Sequence, residues 1–186
     1  MELLDQSIAS DVMTADILYR KATTADATAV AEVLVSSWKE SFVGVVADTF
    51  LDGLTVEAQS KRLRTRLSGT DNSYRMFVAE LSDGRVAGFA DTGKPRDDVA
   101  YDAELYSIFL LHEFQGKGIG RRLFDMVKQF LLERGNTSMY LRALEQSPYR
   151  PFYDKLGGRV ISKIRLQLDN IEVDAVLYGW ESLRNG

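Results

Sequence analysis

Between residues 24 and 42 apolar side chains return every fourth position, at Val30, Leu34, Trp38 and Phe42, with Val33 beside them. That period predicts a helix with one buried face, and Thr24 or Asp26 can cap its start. A second helix is predicted over 55–67 (TVEAQSKRLRTRL), opened by Thr55, and VVADTFLDGL before it reads as a loop or short helix. Residues 17–23 (ILYRKAT) read as a first strand. The runs YRMFVAEL and VAGFAD flank Ser-Asp-Gly-Arg, a hairpin signal. DAELYSIFLL (102–111) is apolar enough for a strand at the centre of a sheet. The helical period returns at Ile119, Leu123, Val127, Phe130 and Leu131 and stops at Gly135, a residue suited to a C-terminal cap. A strand over 138–144, a short helix within 149–158 and a hairpin over 159–180 turning at Asp169 and Asn170 complete the chain. The order β-α-α-β-β-β-α-β-α-β-β predicts a mixed α/β fold in a single domain over 1–186, with residues 1–16 as a polar extension.

Composition narrows the chemistry. The chain of 186 residues has no cysteine and one histidine, His112. Thiolate chemistry, disulfides and a histidine-based metal cluster or triad are therefore not expected. The net charge of −4 gives no general footprint for nucleic acid. No apolar run approaches the roughly 20 residues that span a bilayer, and the N-terminus lacks the pattern of a secretion signal. A cytoplasmic location is the default expectation.

One stretch does not fit plain packing. FQGKGIGRRLF (114–124) places glycines at every second position just where a helix begins, although glycine inside a helix costs about 1 kcal/mol relative to alanine. A strand, a glycine turn and a helix N-terminus together make an anion site, because first-turn N–H groups lack intrahelical partners and the helix dipole is positive there. Gly116, Gly118 and Gly120 would let a pyrophosphate rest on bare backbone, with Lys117, Arg121 and Arg122 adding positive charge. The spacing is neither the dinucleotide fingerprint nor the P-loop. From the glycines alone, a turn that merely connects strand to helix remains the alternative reading.

The segment LYSIFLLHEFQGKGIGRRLFDMVKQFLLERG resembles the acetyl-CoA-binding segment of the GNAT superfamily of N-acetyltransferases. The family pattern Q/R-x-x-G-x-G/A is matched by Gln115, Gly118 and Gly120. LEQSPYRPFYDKLGG resembles a second family segment, N-x-x-A-x-x-F-Y-x-K-x-G-F, through Phe152, Tyr153, Lys155 and Gly157. Gln146, Tyr149 and Gly158 stand where Asn, Ala and Phe are usual. The resemblance implies a mixed, mostly antiparallel central sheet of about seven strands flanked by helices, the GNAT-like acyl-CoA N-acyltransferase fold. It implies acetyl-CoA as cosubstrate, no metal, and a small-molecule or peptide amine as acceptor. Neither nucleic acid nor membrane is expected as a partner, and a homodimer is left open.

The same resemblance assigns residues. Backbone groups of Ile108, Phe109 and Leu110 would hold the pantetheine arm, one near Leu110 serving the oxyanion. Gln115, Gly116, Lys117, Gly118, Ile119, Gly120 and Arg121 would bind the pyrophosphate, and the side chain of Gln146 would contact the arm. Tyr153 is the expected general acid at the sulfur. A lysine-like amine has a pKa near 10.4, so only about one in a thousand is neutral at pH 7; Glu104 is the expected base, directly or through water, with Glu145 a weaker rival. Trp38 and Phe42 are expected in the core, although in relatives the end of their helix and the loop behind it wall the acceptor pocket, which brings in Ser41, Phe42 and Asp48 as candidates to face the substrate. Lys61, Arg62, Arg64 and Arg66 are expected to form a solvated face, and Glu172 with Asp174 an exposed acidic one. The chemistry is expected to run by direct transfer in a ternary complex, because no activated nucleophile is evident. The alternatives are a non-catalytic acyl-CoA-binding regulatory module and, further off, a nucleotide-binding protein using the same loop.

Overall fold

In the computed structural model, which describes residues 17–184, alternation along β2 (Arg75–Glu80) sets the layers. Met76 and Val78 pack on one face of the sheet with α1 (Ala27–Ser41), and Phe77 and Ala79 on the other. The extension expected over 1–16 lies outside the described residues. Two helices cover the first face, α1 through Val30, Ala31 and Val33, and α3 (Val56–Ser68) through Leu63. The long helix α4 (Ile119–Glu133) covers the second face through Ile119, Leu123, Phe124, Val127 and Leu131. With helices on both faces, β3 (Val86–Gly93) is buried at every position.

The remaining strands are β1 (Leu18–Lys21), β4 (Ala103–Leu110), β5 (Met139–Leu144), β6 (Arg159–Leu168) and β7 (Ile171–Trp180). Two short helices, α2 (Asp48–Gly53) and α5 (Arg150–Lys155), lie near the sheet's open centre. The seven strands run in the order β1-β2-β3-β4-β5-β7-β6. Neighbours are antiparallel except β4 and β5. The mixed, mostly antiparallel sheet expected from the sequence is the one observed. Among the described residues, no helix is long and apolar enough to cross a membrane.

The start of α1 differs in detail from expectation. A 3-10 turn over Thr24–Asp26 precedes it, and Thr23 forms a capping box with Asp26. The Asp26 carboxylate also accepts two hydrogen bonds from Arg20, at 2.7 and 2.9 Å. The Arg20 hydrogen bond above all holds the Asp26 carboxyl down at about 2, against the desolvation of a nearly buried site. A carboxylate whose folded value is depressed stabilises the fold above its unfolded value, near 3.9, and that stability is lost as pH falls through about 2. Asp26→Asn is expected to lower the unfolding free energy by about 1–3 kcal/mol at pH 7 and by far less at pH 2, measured by urea titration at both.

Candidate active site

β4 and β5 pair only through Ala103 with Met139 and Glu104 with Tyr140, then part. The cause lies one strand away. Thr92 on β3 faces Leu105 while Asp91 faces Ser107, so Tyr106 is the extra residue of a bulge. A bulge bends its strand and increases the twist, and here it carries the end of β4 away from β5. The N–H of Leu111 donates to the Ala87 carbonyl at 2.9 Å. Antiparallel alternation then turns the main chain of Ser107 and Phe109 toward β3, and that of Ile108 and Leu110 toward the gap. The expectation that Phe109 offers its backbone to a ligand is thereby corrected: its peptide groups belong to the β3 ladder and only its ring reaches the cavity wall. The Leu110 carbonyl accepts from Ser37 Oγ (3.1 Å) and distantly from Gln115 Nε2 (3.4 Å). The gap therefore offers a ligand the N–H and C=O of Ile108 and the N–H of Leu110.

The gap opens into a cavity of about 790 Å³ that runs to the glycine loop and the start of α4. That size suits a ligand well beyond a single amino acid. The glycines serve two separate needs. Gly116 (φ +72°) and Gly118 (φ +81°) hold left-handed backbone that other residues adopt at a cost, and a Cβ at either would enter open space. Gly120 is needed for close approach: a Cβ there would stand 3.2 Å from Phe152 Cζ and 3.3 Å from Leu110 Cδ1. The first intrahelical bond of α4 runs from Arg122 N–H to Gly118 C=O. The amides of Ile119, Gly120 and Arg121 precede it and point out of the helix end. Ile119 is buried and contributes backbone alone, Arg121 lines the cavity, and Lys117 is exposed with its ammonium 5.7 Å from the Phe114 ring centre.

Three expected residues stand elsewhere or do something else. Gln146 is exposed and does not line the cavity; Ser147, buried one residue later, does. The turn after β5 bonds Ser147 N–H to the Leu144 carbonyl, which brings the smaller side chain inward. Gln115 donates to the Tyr149 hydroxyl at 3.2 Å, so its amide braces β4 against α5 instead of facing the loop. Tyr149 was missed as a functional residue: its hydroxyl also meets Ser41 Oγ at 2.6 Å, tying α1 to the segment before α5. The only signal in the sequence was its departure from the family pattern.

Glu104 is the largest correction. It is fully buried, not on the cavity wall, and both carboxylate oxygens are taken. Oε1 accepts from the Arg96 guanidinium and lies 3.5 Å from Arg142 Nε; Oε2 accepts from the Arg96 backbone N–H (3.0 Å) and the Tyr140 hydroxyl (2.9 Å). A carboxylate so engaged holds Arg96 and Arg142, which do line the cavity, and has no free lone pair facing an amine. Glu145 pairs with Lys163, and Glu172 and Asp174 share the one guanidinium of Arg165, so the acidic face is partly neutralised from within. His112 is exposed in a turn, as expected.

Tyr153 lines the cavity from α5. Its ring packs on Phe152 and Tyr178 at 5.6 and 5.5 Å between centres. Burial pushes its phenol well above the usual tyrosine value, so it stays protonated at neutral pH. On the far side of the gap the wall is aromatic and aliphatic: Trp38 contacts Phe42 (4.7 Å), Phe50 (5.4 Å) and Phe109 (6.3 Å), and Leu54, Leu166 and Leu168 adjoin. Trp38 and Phe42 are thus both core and cavity wall. Arg62 and Gln59 of α3 line the same end, and Asp169 is the one carboxylate in the lining among the described residues.

Comparison with known proteins agrees with this geometry. Residues 37–158 match the model of the acetyltransferase (GNAT) family. The chain is 31% identical over 169 residues to the uncharacterized N-acetyltransferase YuaI of Bacillus subtilis, covering 90% of this chain and 94% of YuaI. It is 25% identical over 144 residues to a spermidine N(1)-acetyltransferase of Thermoplasma acidophilum, covering 76% and 87%. Among solved structures, the PaiA N-acetyltransferase of Thermoplasma acidophilum in complex with coenzyme A superposes with a TM-score of 0.68 at 22% identity, covering 86% of this chain and 97% of that one.

Proposed function

The chain belongs to the GNAT family of N-acetyltransferases, and from that premise we propose that it moves the acetyl group of acetyl-CoA directly to a primary amine with an apolar body. The observation that carries this reading is the split between β4 and β5, continuous with the exposed amides at the start of α4. An extended arm with amides can pair with Ile108 and Leu110 as an added strand would. A diphosphate fits the outward N–H groups of residues 119–121, with Arg121 at hand. The residues present therefore suit the arm and the diphosphate of coenzyme A.

In this proposal the Ile108 and Leu110 amides hold the arm in line, and an N–H in the gap faces the thioester oxygen as negative charge develops on it. Tyr153 donates a hydrogen bond to the departing sulfur. No hydrogen bond to its hydroxyl is formed within the described residues, so the donor is available. Glu104 acts as a positioning residue for Arg96 and Arg142. The alternative of a binding module without chemistry is disfavoured by this free phenol at the gap.

The acceptor end favours one class of amine. Trp38, Phe42, Phe50, Leu166 and Leu168 offer apolar surface; Arg96 and Arg142 are paired with Glu104 and Asp97, which leaves Arg62 against Asp169, the one carboxylate of the lining among the described residues. The further ammonium groups of a polyamine such as spermidine would meet apolar surface and the like charge of Arg62 there. Release of free coenzyme A is the test. Arylalkyl or branched-chain amines are expected to exceed spermidine at least tenfold in kcat/KM. Tight acetyl-CoA binding with no amine-dependent release from either class would return the chain to the binding-module alternative.

A further inference from the structure

Behind the bulge lies a carboxylate that nothing above employs. Asp91 is 1% exposed, and its Oδ1 is the one buried side-chain polar atom among the described residues without a hydrogen bond. Oδ2 accepts from the Tyr74 hydroxyl at 3.1 Å and lies 3.5 Å from Arg66 Nη1. A buried, half-satisfied carboxylate costs stability, and such groups gather where proton chemistry needs them. Arg66, expected to be solvated, instead packs against the rings of Tyr74 and Tyr106, 5.4 and 5.3 Å from their centres.

The register brings Asp91 to the cavity. It faces Ser107 across the β3–β4 ladder, and paired residues project to the same side of a sheet. Ser107 lines the cavity next to the bulged Tyr106, and its pairing with Asp91 puts both side chains on one side of the sheet. We infer that Ser107 and Asp91 form the proton exit for the acceptor amine: Ser107 Oγ takes the nitrogen's proton while its own hydroxyl proton passes to Asp91 Oδ1. This rests on the acetyl-transfer reading above. The nitrogen lone pair forms the N–C bond, the C–S pair leaves on sulfur, and the proton held by Asp91 returns through Ser107 to solvent, where the thiolate is neutralised. Asp91 acts through Ser107 and is in that sense a positioning and proton-holding residue.

The surroundings tune the carboxyl for such a role. Desolvation raises it above the usual carboxylate range, and Arg66 of α3, Ser107 of β4, Tyr74 before β2 and Arg96 after β3 oppose that rise. Tyr106 faces the same cluster from the bulge. Glu104, with both oxygens occupied, and Asp169, exposed in the β6–β7 turn, lack this combination of burial and a free oxygen.

The test is the pH dependence of kcat with a saturating apolar amine, read as coenzyme A release. Asp91→Asn, which keeps shape, is expected to lower kcat about 100-fold at pH 7. It should leave the KM for acetyl-CoA unchanged and abolish the acidic limb of the profile, so that the rate climbs with hydroxide. Arg66→Gln removes a cation facing the carboxylate and is expected to move that limb upward by about one pH unit. Ser107→Ala should lower kcat about tenfold and move the limb upward, since Ser107 also opposes the rise of the Asp91 carboxyl, and it decides the matter alone if Asp91→Asn fails to fold. Full kcat with an unchanged limb in Asp91→Asn, or full kcat in Ser107→Ala, would overturn the relay. Wild-type protein releasing no coenzyme A would overturn acetyl transfer itself, a separate outcome.

Discussion

Gly118→Val is expected to raise the Kd for acetyl-CoA by about 10- to 100-fold, equal to the loss of one or two charge-assisted hydrogen bonds. Gly118 caps α4 with φ +81° and open space where a side chain would stand. A valine there meets two penalties. Left-handed backbone costs a residue with a Cβ about 1–2 kcal/mol, which should lower Tm by a few degrees. The branched side chain would also fill the space in front of the Ile119 and Gly120 amides, where the diphosphate is proposed to lie. Calorimetry with acetyl-CoA measures the second effect and a thermal melt the first. Unchanged affinity with a lowered Tm would mean that the glycine serves the turn alone.

Tyr153→Phe is expected to lower kcat about 100-fold while the Kd for acetyl-CoA changes less than threefold. The phenylalanine keeps the ring packing on Phe152 and Tyr178 and removes only the hydroxyl. An interaction made chiefly at the departing sulfur affects turnover and not binding. Stopped-flow kinetics at several pH values provides the check. Full turnover across pH would remove Tyr153 from the chemistry and leave it a wall residue.

Much of the fold was legible because it rests on period. Val30, Leu34 and Trp38 recur at helical spacing and form α1; the Asp-Gly pair at 83–84 turns β2 into β3. The glycine loop was legible too, since strand, glycines and helix stand adjacent in the chain. What stayed hidden depends on register between distant strands. The bulge at Tyr106 exists only as a mismatch between β3 and β4, and nothing in AELYSIFL marks it. That same mismatch sets which β4 peptide groups face the gap, and so separates Ile108 and Leu110 from Phe109, whose peptide groups belong to the β3 ladder. Glu104 looked like a free carboxylate because the loop between β3 and β4, which carries Arg96, and the separate strand of Arg142 cannot be seen to close on it. Arg66 looked solvated for a similar reason: its aromatic neighbours come from the segment before β2 and from β4. Gln146 and Ser147 differ by one position in a turn, below the precision of motif alignment.

The proposal that the β4–β5 gap and the head of α4 jointly grip coenzyme A can be read one amide at a time. Nitrogen-15 spectra recorded with and without the cosubstrate should show the largest shifts at Ile108, Leu110 and residues 116–122, with β6 and β1 little changed. Shifts confined to another face of the sheet, or none in the presence of millimolar coenzyme A, would contradict it.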